Sequence, residues 1–447
     1  MPLVPFLGRA EPVAVVAYRD GEAIRTAEFV RDVWALAAVL PARRYLINLC
    51  ADRYRFAVGL AAALLREQVS LLPPSHAPHL LQALEQQYGG LYALTDGAVA
   101  SEVLEDIVYP TVWTSVPSPS RPLAFAPDQL AAIAFTSGST GAPTPHPKSW
   151  GRLALGAVGE AERLGLRAAT GVTLVGTVPP QHMYGLESTV LLALHNGLAL
   201  HAARPFYPAD IRAALEQVPP ARVLVTTPVH LRALLGENSV LPALRMLLCA
   251  TAPLSSEMAC AAEARYRAPV NEIYGFTEAG MVATRRPAQE AQWHALPGVK
   301  VWRSGGAVHV FGGHVQAEVA FSDVVEIKDE QTFVLLGRGA DMVNVAGKRT
   351  SLASLNHQLT TIPGVLDGAF FMPEEGSGAV TRLSAFVVAP GLTRAAVQVA
   401  LRARIDAAFL PRPLYLVDAL PRNATGKLPQ EALAGLAQAC ARRRGQG

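Results

Sequence analysis

The groups in this chain best suited to hold an anion are hydroxyls set around two glycines. They lie in Phe135-Thr136-Ser137-Gly138-Ser139-Thr140-Gly141-Ala142-Pro143, directly after the apolar run from Leu130 to Ala134. A strand that breaks into such a segment reads as a phosphate cradle. Glycines let backbone N–H groups turn toward an anion, and Ser137, Ser139 and Thr140 add hydroxyl donors. It is not a Walker loop, because Pro143 and Thr144 stand where the second glycine and the lysine would fall. Alone, the same composition also makes an ordinary surface turn, so the reading depends on what accompanies it. Lysine is scarce: it occurs only as Lys148, Lys300, Lys328, Lys348 and Lys427, every other basic side chain except histidine being arginine. Each lysine is therefore a candidate for a role that needs an ammonium.

The elements that must position this loop alternate. Helical spacing covers 26–40, 53–66 and 78–88, the last opening on Pro78 and closing on Gly89-Gly90. Apolar runs of strand length recur at 45–49, 131–135, 172–178, 223–226, 246–249 and 270–273, with helical stretches such as 208–218 and 256–266 between them. Strands alternating with helices predict parallel sheets covered on both faces, an α/β fold. A Ser/Pro-rich surface connector spans 115–127. From 306 to 336 short alternating strands (307–311, 316–321, 324–327, 332–336) predict a β-rich subdomain. A compact α+β unit follows, with strands at 342–345, 367–371, 383–388 and 414–417 and helices at 351–361, 393–409 and from Pro429 onward. The expected division is an N-terminal domain over 1–338 and a small mobile C-terminal domain over 339–447.

Four further segments follow the loop in order: Thr251-Ala252-Pro253; Tyr274-Gly275-Phe276-Thr277-Glu278; Ser322-Asp323 with Gly337-Arg338 and Gly347-Lys348-Arg349; and Pro421-Arg422-Asn423-Ala424-Thr425-Gly426-Lys427. In this order the chain resembles the adenylate-forming superfamily of acyl- and aryl-CoA synthetases, peptide-synthetase adenylation domains and luciferases. The resemblance runs from about Tyr18 onward. It implies activation of a carboxylic acid by ATP with Mg²⁺, because a carboxylate is a poor acyl donor until its oxygen is converted to a phosphate-ester leaving group. Two anions must then meet, which requires cations and dipoles where charge accumulates.

The resemblance implies these roles. Thr136, Ser137, Gly138, Ser139, Thr140 and Gly141 hold the β- and γ-phosphates. Tyr274 stacks on adenine beside Thr251, Ala252 and Pro253. Thr277 bonds the α-phosphate and Glu278 ligates Mg²⁺. Asp323 accepts the ribose hydroxyls with Arg338 alongside, Lys427 bridges carboxylate and α-phosphate, and Gly347 leaves room for a thiol tunnel. His182, in Pro180-Gln181-His182-Met183-Tyr184-Gly185, falls where the family's residue faces the acyl pocket. Two departures stand out. The family's Pro-Lys after the last glycine is replaced by Pro143-Thr144, so Lys148 either reaches the phosphates from a longer loop or leaves the loop to work without a lysine. Ala340 occupies the usual hinge position for the rotation expected about 339–341.

Domains taking α-amino acids carry an Asp within the stretch that here reads Tyr184-Gly185-Leu186-Glu187-Ser188, which favours an aryl or acyl acid. The compact chain and its Gly-Ser-Thr-Gly-Ala-Pro-x-Pro-His form are similar to small ligases that load starter acids in aryl-polyene-type pigment pathways. Arg382, Arg394, Arg402, Arg404 and Arg412 suit an acyl carrier protein or the phosphates of CoA as the thiol acceptor. A non-catalytic nucleotide-binding homologue is the alternative of another class. Composition narrows the rest: a net charge of +3 gives no basis for nucleic-acid binding, and 51% hydrophobic with 17% charged residues suits a buried globular core. Cys50, Cys249, Cys260 and Cys440 have neither zinc nor disulfide spacing. With no secretory signal and no apolar run long enough for a bilayer span, the expectation is a cytoplasmic protein.

Overall fold

The structure is a computed structural model that describes residues 2–98, 101–113, 121–136, 143–167, 169–237, 239–338, 342–345, 348–372, 383–423 and 428–445. It separates into two compact units, one of residues 1–319 with 329–332 and one of 320–328 with 333–447. The fold is mixed α/β.

In the first unit, one sheet runs in the order Thr144–Ser149, Leu130–Thr136, Val69–Leu72, Tyr45–Asn48, Tyr92–Thr95, Glu105–Val108. All its pairings are parallel except the first, where Thr144–Ser149 returns antiparallel along Leu130–Thr136. The inner strands are mostly apolar, as burial on both faces requires, with Asn48, Ser70 and Thr95 as their buried polar residues. Helix Pro78–Tyr88 covers one face by placing Leu80, Leu81 and Leu84 against Ile47, Leu71 and Ile133. The returning strand was not evident in the sequence. Its Pro145 and Pro147 cannot donate to a ladder, a defect tolerated because this strand lies at the sheet edge.

The second sheet places Val270–Phe276, Leu244–Cys249, Arg222–Thr226, Thr173–Gly176, Ala199–His201 and Val15–Arg19 side by side in parallel. Gly280–Arg285 pairs antiparallel with Val270–Phe276, and Trp293–Ala295 with Gly280–Arg285. Helices Pro208–Glu216, Pro228–Gly236 and Ser256–Tyr266 bury Ile211, Leu215, Leu231, Leu234 and Ala259 against Val175, Leu224 and Leu247. Val299–Ser304 and Ala307–Gly312 form the hairpin of the expected β-rich part, followed by Val315–Ala320.

The second unit contains the hairpin Asp323–Ile327 with Thr332–Arg338, apart from Thr332 itself, and a three-stranded sheet of Asp367–Phe371, Ser384–Val388 and Leu414–Leu416. Helices Leu352–Thr360, Arg394–Arg402 and Gln430–Gly445 accompany it. The helix expected over 393–409 is two pieces. Asp406 Oδ1 accepts from the Ala408 N–H at 2.9 Å and starts a separate short turn over Ala407–Phe409. No helix among the described residues is long and apolar enough to cross a membrane.

Candidate active site

In a parallel α/β sheet the chain segments leaving the carboxyl ends of the strands line the natural crevice. Here those segments are 177–182, 227, 250–254 and 277–280, which contain His182, Thr251, Ala252, Pro253, Thr277 and Glu278 of the residues expected to act.

The anion loop opens at the tip of the edge hairpin, where Thr136 faces Thr144. Ser137, Gly138, Ser139, Thr140 and Gly141 lie outside the described residues. Thr136 is described, and its Oγ1 lies 2.9 Å from His146 Nε2. His146 Nε2 is also 3.9 Å from Glu278 Oε1. Side chains two apart on a strand share a face, so Lys148 faces the same turn as His146. Its Nζ donates to the Glu278 carbonyl at 2.9 Å, linking residues 130 apart in sequence. Lys148 is only 6% exposed and sits four ladder positions from the loop, so its ammonium is engaged by the Glu278 backbone. Burial pulls the pKa of this ammonium down, opposed by Glu187 and Glu278.

Thr277 and Glu278 occupy the turn between Val270–Phe276 and Gly280–Arg285. Two further side chains pack against that turn: Glu187 and His314 line the same small cavity as Lys148, Glu278 and Gly280. Glu187 can come this close because Gly280 has φ of +81°, and a Cβ there would lie 2.8 Å from Glu187 Oε1. Burial pushes Glu187 up to about 7 against the influence of Lys148, and pushes His314 down to about 4. Neither His146, Glu187 nor His314 was singled out from sequence; the His-x-Lys alternation beside the loop was the available signal.

Thr251 takes φ of +82°, a backbone conformation that a β-branched residue adopts only under constraint. The chain just beyond it is held from the next strand. Glu272 Oε1 accepts from the Leu254 N–H at 2.8 Å, and its Oε2 accepts from Arg285 Nε at 2.7 Å. Arg285 also donates to the Leu254 carbonyl at 3.3 Å and stacks 4.7 Å from the Trp293 ring centroid. Trp293 in turn packs 5.5 Å from half-buried Tyr274. One network therefore fixes Thr251, Ala252 and Pro253 on one side and Tyr274 on the other.

His182 caps the short helix Met183–Gly185, its Nδ1 accepting from the Tyr184 N–H at 3.2 Å. Tyr184 anchors this segment over two strand ends, its hydroxyl shared between the Thr226 and Leu248 carbonyls at 3.2 and 3.0 Å. In the second unit, Asp323 and Arg338 face each other in register on their hairpin, with the Arg338 side chain outside the described residues. Gly347, Lys427 and the expected pivot at Ala340 also lie outside the described residues.

The sequence profile of the AMP-binding enzymes matches residues 42–312 of this chain. The chain belongs to the AMP-binding enzyme family. It is thereby an adenylate-forming ligase of the acyl- and aryl-CoA synthetase type, as the motifs led us to expect. Among curated relatives, a 4-coumarate–CoA ligase of Rhodobacter capsulatus is 30% identical over 333 residues, 72% of this chain and 83% of that one. A 4-coumarate–CoA ligase of Halorhodospira halophila is 29% identical over 324 residues, 68% and 77% of the two chains. In fold, the chain matches O-succinylbenzoate coenzyme A synthetase of Bacillus subtilis in complex with ATP and magnesium ion, with a TM-score of 0.80 at 19% identity over 95% of this chain and 97% of that one. ATP-bound MatB of Rhodopseudomonas palustris gives a TM-score of 0.80 at 20% identity over 96% of each.

Proposed function

We propose that this chain uses ATP to convert an aryl or acyl carboxylic acid into an acyl-adenylate and then passes the acyl group to a phosphopantetheine thiol. The observation that carries the reading is the convergence of the Thr136–His146–Lys148 hairpin on the Thr277–Glu278 turn. A carboxylate oxygen attacks the α-phosphorus, the bond to the β-phosphate oxygen breaks, and pyrophosphate leaves. The thiol sulfur then attacks the acyl carbon, AMP departs, and the thiol proton is released.

In this reading Thr136 to Gly141 bind the outer phosphates and Thr277 the α-phosphate, while Tyr274 and Thr251 to Pro253 flank the base. Asp323, with Arg338, accepts from the ribose hydroxyls. Lys427 offsets the repulsion between carboxylate and phosphate, His182 borders the acyl group, and Gly347 admits the thiol. A bound Mg²⁺ would neutralise charge on the phosphates. Glu278 fits it, since its carboxylate is 39% exposed and Mg²⁺ prefers one or two carboxylates plus phosphate oxygens. Among the described residues no group of three or more His, Cys, Asp or Glu could hold a metal alone, which suits an ion arriving with the nucleotide.

For the acceptor we favour an acyl carrier protein, because Arg394, Arg402, Arg404 and Arg412 are all exposed on the second unit, where an acidic partner could meet them. Free CoA is the second reading, favoured by the 4-coumarate–CoA ligase relatives. We favour an aromatic acid of the kind loaded as a pigment starter, and a reducing cytoplasm as the setting. Acid-dependent ATP–pyrophosphate exchange across hydroxybenzoates, cinnamates and medium-chain acids tests the first half-reaction. Thioester formation on holo-carrier protein against CoA tests the second. ATP binding without exchange for any acid would instead mark a nucleotide-binding protein without ligase activity.

A further inference from the structure

A buried ammonium is costly unless its environment supplies partners, and an apolar side chain of similar length would fill the same space without that cost. Lys148 is nevertheless buried, and its partners are specific. It reaches the carbonyl of Glu278, a residue placed above among those that act on the nucleotide, and it shares a cavity wall with the Glu187 carboxylate. Glu187 and His314 close on Gly280, two residues further on, where a Cβ would lie 2.8 Å from Glu187 Oε1 and 3.7 Å from His314 Nε2. A cavity of about 60 Å³ lies between these groups, lined by Lys148, Glu187, Glu278, Gly280 and His314 among others. The three side chains come from three different elements: the edge strand Thr144–Ser149, the helical turn Leu186–Leu191, and the segment after the hairpin strand Ala307–Gly312. A turn between two strands has few ladder bonds of its own, so these contacts set its position.

We propose that Lys148 is a positioning residue: bonded to the Glu278 carbonyl, and with Glu187 and His314 packed on Gly280, it clamps the backbone from Glu278 to Gly280 and so sets where Thr277 and Glu278 are presented. The clamp makes the anion-loop hairpin and the Glu278 turn one mechanical unit, because the same strand begins at the loop and ends at the ammonium. Lys148 does not touch the phosphates itself. The consequence for catalysis rests on the adenylation reading above; the clamp itself does not.

Two measurements on the full-length protein separate these. Amide hydrogen exchange in peptides covering 275–283, without nucleotide, should be at least ten-fold faster in Lys148→Met than in wild type. Acid-dependent pyrophosphate exchange should lose at least ten-fold in kcat and need several-fold more Mg²⁺, with the KM for the acid moving less than two-fold. Glu187→Gln keeps the shape packed on Gly280 but removes the charge opposite Lys148, and should show the same changes at smaller amplitude; it serves if Lys148→Met does not fold. Wild-type amide exchange over 275–283 in a folded variant would overturn the clamp. A loss spread evenly over all kinetic constants, tracking the folded fraction, would reduce Lys148 to a stability role and also overturn it. A wild-type protein with no acid-dependent exchange would sink the adenylation reading while the amide-exchange comparison still decided the clamp.

Discussion

Arg53 Nη2 donates to the Val178 carbonyl at 2.7 Å, four residues before His182, from a side chain with no solvent exposure. The same guanidinium bonds the carbonyls of Gly176, His201 and Ala203 and the Thr189 hydroxyl, so all five of its N–H groups are used. Burial pulls its pKa down to about 10, which still leaves it charged at neutral pH. Lysine has three donors on one atom and cannot span this set. Arg53→Lys should therefore cost about 3 kcal/mol through stranded carbonyls. Urea unfolding checks this, and a midpoint equal to wild type would show that the guanidinium contacts are dispensable.

Much of this architecture was legible in the chain because parallel strands buried on both faces leave unmistakable runs such as Val223-Leu224-Val225. The motif segments were legible because they sit directly beyond those runs, at the carboxyl ends of strands. The edge strand was hidden by Pro145 and Pro147, whose missing donors argue against a strand until its edge position is known. Arg53 and Glu160 were not legible as buried charges, since on a helix they read like any solvated residue. The target of Lys148 could not be read either, because its partner lies 130 residues away and is a backbone carbonyl with no sequence signature.

Glu160 gives a pH dependence whose sign follows from its burial. It has no exposure and neither carboxyl oxygen has a hydrogen-bond partner, with Ser188, Glu187 and Tyr184 as the polar groups around it. Burial raises it from 4.5 to about 8. The folded state therefore holds a proton that the unfolded chain releases above pH 4.5, so stability is full below that value and falls as pH rises through about 8. The loss is on the order of 5 kcal/mol. Glu160→Gln should flatten the stability profile between mildly acidic and alkaline pH, leaving a residual slope from Glu187. Equal slopes in mutant and wild type would show that this carboxyl is not the titrating group.

Gly185 is fixed by contact, not by torsion. Its φ of −66° suits any residue, yet a Cβ there would sit 2.0 Å from the Pro179 carbonyl oxygen. Gly185→Ala should displace the His182–Gly185 turn and cost about 2 kcal/mol or more. Gly236, at the end of helix Pro228–Gly236, has open space where its Cβ would be. Gly236→Ala should be neutral or stabilise by up to about 1 kcal/mol. Paired thermal melts read both, and equal effects would remove the packing argument.

The Glu272–Arg285 pair separates positioning from stability. Its oxygens and guanidinium grip both backbone groups of Leu254, beside the strained Thr251, and Arg285 carries Trp293 toward Tyr274. Glu272 is 4% exposed, so Glu272→Met leaves Arg285 uncompensated and should cost about 3–5 kcal/mol. Replacing both partners, Glu272→Met with Arg285→Met, removes the stranded charge and should recover most of that stability. It cannot restore the hydrogen bonds that hold Leu254, so the 251–254 segment loses that restraint. The double variant should thus fold with a melting temperature near wild type yet bind ATP at least five-fold more weakly by calorimetry. If its ATP affinity matched wild type, the 251–253 segment would have no part in holding the nucleotide.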